Sequence, residues 1–458
     1  MKHTTKHSFK LLGLFLIAAL VTLSGCTSSP ADKATGQNKA DSNPGARKIT
    51  LDFWTGAVLD QGDFDKLIAT YTAKVAPNVE IKLTHLPFNG LDEKMNVAIA
   101  ANTFPDVYMD GVARLGPMSV RGIAAPLDSY ITGDYNLSDV SEGTMKLSKV
   151  NGKLMVLPVT ANIPQGVMLV NKTLFKQAGA EELLPDPTTR AWSRETFSKA
   201  VEKIGSLGNG IYGFGLAAGA TDHDKMVDAY IYNDGDDYMD EKYNKMIYNS
   251  EKNVRNFEWL LKLASTKYAV PGVAGNKEPN LFELFKQGKI GVMNNNLGYY
   301  DIIQKGLKDG TIKGPMDVMF AHYPTTDGKA GKMWISSYGM IVKQQDNAEK
   351  MKEAAKFALW MTSGKIDEMN QMLIKKGHIP ARNSVLSLIK EPEYKVLAKM
   401  PEKVIQNNFI IPNYQQVRKI WFNQFQQAFG NKDYTAKQAL DNFVKEAQKT
   451  IDEGKQKQ

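Results

Sequence analysis

"KITLDFWTG", residues 48–56, alternates apolar and polar side chains and stops at a glycine, as a strand does on entering a turn. Phe64, Leu67, Ile68, Tyr71 and Val75 follow at helical spacing. "VEIKLTHL" (79–86) alternates again. "LDEKMNVAIAAN" (91–102) returns to helical spacing, and "PDVYMDG" (105–111) is a third strand running into a turn. Strand, helix, strand, helix, strand predicts an α/β fold with a parallel sheet and covering helices.

The pattern resumes downstream. Ser193 is placed to cap a helix that carries Phe197, Ala200, Val201, Ile204 and Leu207 on one face. "KIGVMNNN" (289–296) and "WISSYGMIV" (334–342) read as strands. Residues 347–375 predict two helices parted near Ser363 and Gly364. Thr435, with Gln438 three places on, predicts a capping box before Leu440, Phe443, Val444 and Ala447. Trp192, Trp259 and Trp360 fall on apolar helix faces or at helix starts and read as core.

Upstream of residue 48 the chain changes character. Lys2, Lys6 and Lys10 precede "LLGLFLIAALV" (11–21), an apolar run of 11 residues. A membrane-spanning helix needs about 20 such residues, whereas a secretory signal needs about 7–15 followed by small residues. Ser24 and Gly25 supply those, so 1–25 predicts a removable export signal. The only cysteine of the 458 residues, Cys26, ends "LSGC" (23–26). That tetrapeptide resembles the bacterial lipobox, which predicts a lipidated Cys26 anchoring the protein to the outer face of the cell membrane. Two acyl chains anchor stably where one does not. Residues 27–47 hold Ser, Ala, Asn, Gly, Pro and Lys and no large apolar side chain, which predicts a flexible tether.

The remaining stretch of about 410 residues exceeds one small core and predicts at least two domains. Apolar residues make up 43% and charged residues 23%, as in soluble globular proteins. The net charge of +8 is spread among mixed signs, without a dense basic block interleaved with aromatics, which argues against nucleic acid as a partner.

In open α/β sheets, ligands sit beyond the carboxyl ends of strands. Here those ends carry Trp54, Thr55 and Gly56, then Asp110 and Gly111, then Asn294, Asn295 and Asn296 with Tyr299 and Tyr300 close by. Amides, hydroxyls, a carboxylate and aromatic faces suit a neutral polar ligand such as a sugar. Each also has an ordinary structural use, since Asn and Gly make turns and Trp packs cores.

Several segments, taken in order, carry a family resemblance. They are "FPDVYMDG" (104–111), "GIAAPLDSY" (122–130), "NGKLMVLPVTANIPQGVMLVNKTLFKQAG" (151–179), "FKQGKIGVMNNNLGYY" (285–300), "ISSYGMIV" (335–342) and "KKGHIPARNSV" (375–385). Through them the chain resembles extracellular solute-binding proteins of the maltose-binding-like family, the capture components of ABC importers, from about Lys48 to Ile451. The resemblance implies a two-lobed α/β fold of the type II periplasmic-binding-protein kind, with the ligand in a cleft between lobes that close on a hinge. Lobe one would be 48–160 plus 337–377, and lobe two 161–336 plus 378–458. The implied partners are a small polar solute such as a saccharide and the importer's membrane subunits, with the protein itself a monomer.

The resemblance also implies ligand-facing positions. Trp54 and Thr55 match the first-strand loop, and Asp110 a carboxylate that holds sugar hydroxyls. Asn162 matches a polar residue at the first crossing. Asn296 lies in the strand-end ligand loop, and Tyr299 matches its aromatic. Ser337 and Tyr338 sit where the family often has glycines. Arg382 lies at the returning crossing, where it contacts ligand or makes a structural ion pair. Trp421 resembles a C-terminal aromatic that stacks on sugar or packs in the core.

Other chemistries fit less well. Asp234, Asp236, Asp237, Asp240 and Glu241 cluster within 233–244 but lack the Asp-x-Asp-x-Asp-Gly spacing of a calcium loop, so a solvated acidic turn is expected. "GFGLAAG" (213–219) nearly matches a dinucleotide loop, but its last glycine comes one place late. His85, His223, His322 and His378 show no metal-ligand spacing, and neither His-Glu-x-x-His nor Gly-x-Ser-x-Gly occurs. No cofactor, metal or catalytic residue is implied. The rival readings are a surface adhesin or sensor using the same fold, and a secreted carbohydrate-active hydrolase.

Overall fold

The computed structural model describes residues 48–56, 58–86, 91–161, 166–296, 298–333, 337–400, 403–404 and 408–456. Cys26, the predicted export signal, the predicted tether and Asn162 lie outside the described residues. The strands, in chain order, are β1 (Ile49–Thr55), β2 (Val79–His85), β3 (Val107–Gly111), the short pair β4 (Lys149–Val150) and β5 (Lys153–Leu154), and β6 (Leu157–Pro158). Then come β7 (Met168–Asn171), β8 (Tyr212–Gly215), β9 (Ile290–Asn294), β10 (Val318–Ala321), β11 (Lys332–Met333), β12 (Tyr338–Val342) and β13 (Lys403–Val404).

Two main sheets result. The first runs β2-β1-β3-β12-β6 and the second β10-β7-β9-β8. The expected parallel pairing holds for β1 with β2 and with β3, where helices 61–74 and 91–100 intervene. It does not hold throughout. β12 runs antiparallel to both β3 and β6, and β7 antiparallel to both β9 and β10. The exceptions have one cause. β6, β7 and β12 adjoin segments that pass from one sheet to the other, and a strand arriving from the far sheet enters against the local βαβ direction.

β3 and β12 of the first sheet and β7 and β9 of the second are covered on both faces. In β1, Leu51 and Phe53 are fully buried while Asp52 faces outward. Phe53 meets Phe64 and Phe357 edge-on at 5.6 and 5.3 Å between ring centres. Such pairs add about 0.5–1.5 kcal/mol to the area they bury. In β7, Leu169 faces one core with Ile290 and Phe320, and Met168 and Val170 face another with Phe214 and Trp421. Strands buried on both faces read as continuous apolar runs. The glycines of "GFGLAAG" serve packing: a Cβ on Gly213 would fall 2.0 Å from the Val201 carbonyl, so β8 can lie against helix 194–205 only without one.

Helices 348–361 and 367–375 pack in the core under sheet one, and helices 414–430 and 436–455 in a core of sheet two. Ser193 caps its helix by accepting from the Thr196 amide at 3.0 Å. Thr435 and Gln438 form the predicted capping box. Trp192 is buried, while Trp259 and Trp360 pack half-buried against the cores.

The acidic turn is not simply solvated. Asp234 pairs with Arg194 at 2.7 Å and accepts from Asn256 at 2.9 Å, and Asp237 pairs with Lys332 at 2.9 Å. Arg194 is nearly buried against Trp259, so its charge draws Asp234 inward. No helix among the described residues is long and apolar enough to cross a membrane.

Candidate functional site

Three segments run side by side where the chain passes between the sheets. Val159 donates its amide to the Tyr338 carbonyl at 2.9 Å, and the Tyr338 amide donates to Thr160 Oγ1 at 2.9 Å. The Ala161 amide donates to the Ile379 carbonyl at 2.8 Å, and that of Ala381 to the Val159 carbonyl at 3.1 Å. These bonds tie the three crossing segments to one another.

The crossing fixes which strand ends come near it. β12 starts at Tyr338, beside Gly111 at the end of β3. β7 starts at Met168, beside Asn294 at the end of β9, and the Asn295 amide donates to the Val167 carbonyl at 3.1 Å. The carboxyl ends of β3 and β9 therefore both abut the crossing. They are also the ends that the sequence marked as polar.

On the first wall, Asp110 is 2% exposed and well supplied with donors. It accepts from the Tyr108 hydroxyl, from the Gly111 amide at 2.6 Å, and from Arg114 at 3.3 Å, the last also an ion pair. Burial pushes its carboxyl above the usual range, and these donors pull it back. Gly56, just past β1, lies so close to Asp110 that a Cβ would come within 2.7 Å of Oδ2. Thr55 is fully buried beneath this corner. Trp54, one residue earlier, faces the opposite side of the strand, half-buried with Lys94 5.4 Å over its ring. Ser337 is buried, and its carbonyl accepts from the Val112 amide at 2.9 Å. Burial raises the Tyr338 phenol and nearby Asp110 adds to it, and the ring meets His378 edge-on at 5.6 Å.

On the second wall, Tyr299 lies flat on Phe282, 3.6 Å between ring centres and 3° between planes. Asn296 donates to Glu278 Oε2 at 3.0 Å. Burial pushes the Glu278 carboxyl up to about 7, against the pull of Lys225 and Asn296 and with a push from Asp222. Lys225 is itself lowered by burial. Asn294 donates to the Tyr323 hydroxyl at 2.8 Å. Farther along, Arg418 grips Asp224 through two bonds of 2.5 and 2.7 Å.

Two expected contacts belong elsewhere. Trp421 is fully buried between Tyr248, Phe257, Phe425 and Phe443, so its ring faces are spent on core aromatics. Arg382 is 2% exposed and makes no ion pair among the described residues. Its guanidinium donates to the Thr362 carbonyl at 3.0 and 3.1 Å and to the Asn136 carbonyl, and lies 4.2 Å over the Tyr135 ring. It is a strut between the returning crossing and helix 348–361. Thr55 and Ser337 are at the right place but offer little surface.

Glu278, Lys225, Arg114 and Arg418 were missed by sequence reasoning. Each lies on a helix, where a lone charged residue looks like a solvated face. The one available signal was Arg418 spaced three before Trp421 on an otherwise apolar stripe. Among the described residues no three His, Cys, Asp or Glu side chains converge to hold a metal. A cavity of about 260 Å³ touches the crossing at Ala161, Ile379 and Pro380, but none of the strand-end residues lines it.

The family model for bacterial extracellular solute-binding proteins matches residues 58–366. A protein described as a binding protein from Brucella abortus (strain 2308) is 27% identical over 256 residues, 51% of this chain and 58% of that one. The chain thus spans little more than half the length of that relative. The maltotriose-binding protein of Pyrococcus abyssi is 23% identical over 363 residues, 78% of this chain and 72% of its own. Among solved structures, the sugar-binding protein MalE of Xanthomonas citri superposes with a TM-score of 0.75 at 14% identity, covering 89% of this chain and 98% of its own. The chain belongs to the bacterial extracellular solute-binding proteins, and its fold is the two-lobed, maltose-binding-like α/β fold of type II.

Proposed function

We propose that this chain is the substrate-binding component of an ABC importer, capturing a sugar or oligosaccharide outside the cell by hinge closure and delivering it to the membrane permease. The observation that carries this reading is the placement of two polar, aromatic-bearing strand ends against one hydrogen-bonded crossing. The lobes are taken as 48–160 plus 337–377 and 161–336 plus 378–458. A solute touching both walls favours the closed state, because only that state makes both sets of contacts. Relatives whose names specify maltotriose or sugar support a saccharide as the solute. The protein binds its solute and releases it unchanged. Lipid on Cys26 would hold it at the outer face of the membrane, with residues 27–47 as the leash.

The test is a titration with maltotriose, arabinotriose and cellotriose, following tryptophan fluorescence, melting temperature and product release together. At least one sugar should give a saturable shift without product. Stabilisation should follow RT ln(1 + [L]/Kd), about 2.7 kcal/mol at a hundredfold excess. Turnover would move the reading to a hydrolase. Silence toward all three sugars, with binding to a protein partner, would move it to an adhesin.

A further inference from the structure

Glu278 opens helix 278–286 and is only 6% exposed. Its Oε2 accepts the Asn296 amide at 3.0 Å, but its Oε1 is sealed from water with no hydrogen-bond donor among the described residues. Buried polar atoms without partners are rare, and each needs an explanation. The neighbouring strand end holds a second such atom. Asn294 is 2% exposed, its Nδ2 is spent on the Tyr323 hydroxyl, and its Oδ1 has no donor among the described residues. Two buried acceptors short of donors thus lie at the end of β9 that abuts the crossing. Neither oxygen touches solvent in this state, so a sugar hydroxyl reaches them only when the second wall shifts to admit it.

We propose that Glu278 is the carboxylate through which the second wall grips the solute, its Oε1 accepting a hydrogen bond from a saccharide hydroxyl. The inference rests on the capture reading above. Asn296 is the positioning residue: it fixes Oε2 and lies within hydrogen-bonding reach of Tyr299, whose ring is held flat by Phe282. The titratable groups facing Glu278 are Asp222 and Lys225 from the stretch before and within helix 224–232, Tyr299 from helix 299–309, and Tyr323 beyond β10. Of these, Lys225 favours the ionised carboxylate and Asp222 opposes it. An ionised carboxylate accepts a hydroxyl more strongly than a protonated one. Capture therefore weakens as the pH falls from 8 to 6.

The experiment is calorimetric titration of the full chain, wild type, Glu278→Gln and Asn296→Ala, with maltotriose, arabinotriose and cellotriose at pH 6 and pH 8. Wild type should bind at least one of these sugars, and do so several-fold more tightly at pH 8. Glu278→Gln should lose about tenfold at pH 8 and lose the pH dependence. Asn296→Ala, which frees the carboxylate to swing, should fall between the two and serves as the second variant if Glu278→Gln does not fold. Equal affinity of wild type and Glu278→Gln at pH 8, or an unchanged pH slope, overturns this inference and leaves the capture reading standing. If wild type binds none of the three sugars, the capture reading fails and this inference goes with it.

Discussion

Two buried carboxylates stand at the ends of the two sheets, and they are treated differently. Asp110 is served by a tyrosine hydroxyl, a backbone amide and an arginine. Glu278 has one asparagine amide and an oxygen with no donor among the described residues. The first is complete without a ligand. The second carries an unmet acceptor in the free protein. On the proposed capture reading, one wall is preformed and the other gains on binding, the solute supplying what the second wall lacks.

The contrast can be pressed by substitution. Trp421→Ala should have the largest effect, about 3–5 kcal/mol of lost stability, because it empties a fully buried aromatic site. Urea unfolding measures it. Saccharide affinity should stay within a few-fold of wild type, and a loss confined to affinity would return Trp421 to the wall. Asp110→Ala should cost about 1–3 kcal/mol, since the buried Tyr108 hydroxyl and the Gly111 amide lose their acceptor. Its affinity should fall as well.

Glu278→Gln should behave oppositely. A carboxyl raised in the fold to about 7 keeps its proton where the unfolded chain, at an ordinary Glu value near 4.3, has lost it. The folded state then binds more protons across that interval, so wild-type stability falls as pH rises through it. The neutral Gln does not share that fall. The variant should therefore melt above wild type at pH 8, and the difference should close near pH 5. A variant that melts lower at pH 8 would mean that Glu278 is structurally served after all.

The smallest effect belongs to the hinge. Burial lowers His378 to about 4, and Lys376 adds to that. With an unfolded value near 6.5, its contribution is present above 6.5 and is lost as pH falls toward 4. His378→Phe should make the acid limb of a melting-temperature profile shallower between those values. His322, likewise lowered to about 4 by burial, should keep part of the slope.

How much of this was legible beforehand follows from what local patterns encode. Alternation in β1, the short apolar run of β9 and helical spacing in 61–74 are local, and they gave elements close to those observed. Strand direction is not local. β12 and β7 run antiparallel because the chain has just crossed from the other sheet, which no window of residues records. The same limit applied to the site. Asp110 and Asn296 stood at strand ends, where a rule about α/β sheets finds them. Trp421 had the helical spacing of either a wall or a core residue, and only its neighbours Tyr248, Phe257 and Phe443, distant in sequence, decide. Glu278 looked like any acidic residue at a helix start, and only folding seals it.

The most direct measurement is the distance between the two lobes with and without solute. Spin labels at Val97→Cys on helix 91–100 and Ile302→Cys on helix 299–309, both exposed, in a Cys26→Ser background, would report it by pulsed dipolar spectroscopy. Adding the sugar that binds among maltotriose, arabinotriose and cellotriose should replace a longer or broader distance distribution with a single shorter one. An identical distribution at saturating sugar would contradict a clamp that closes on its guest.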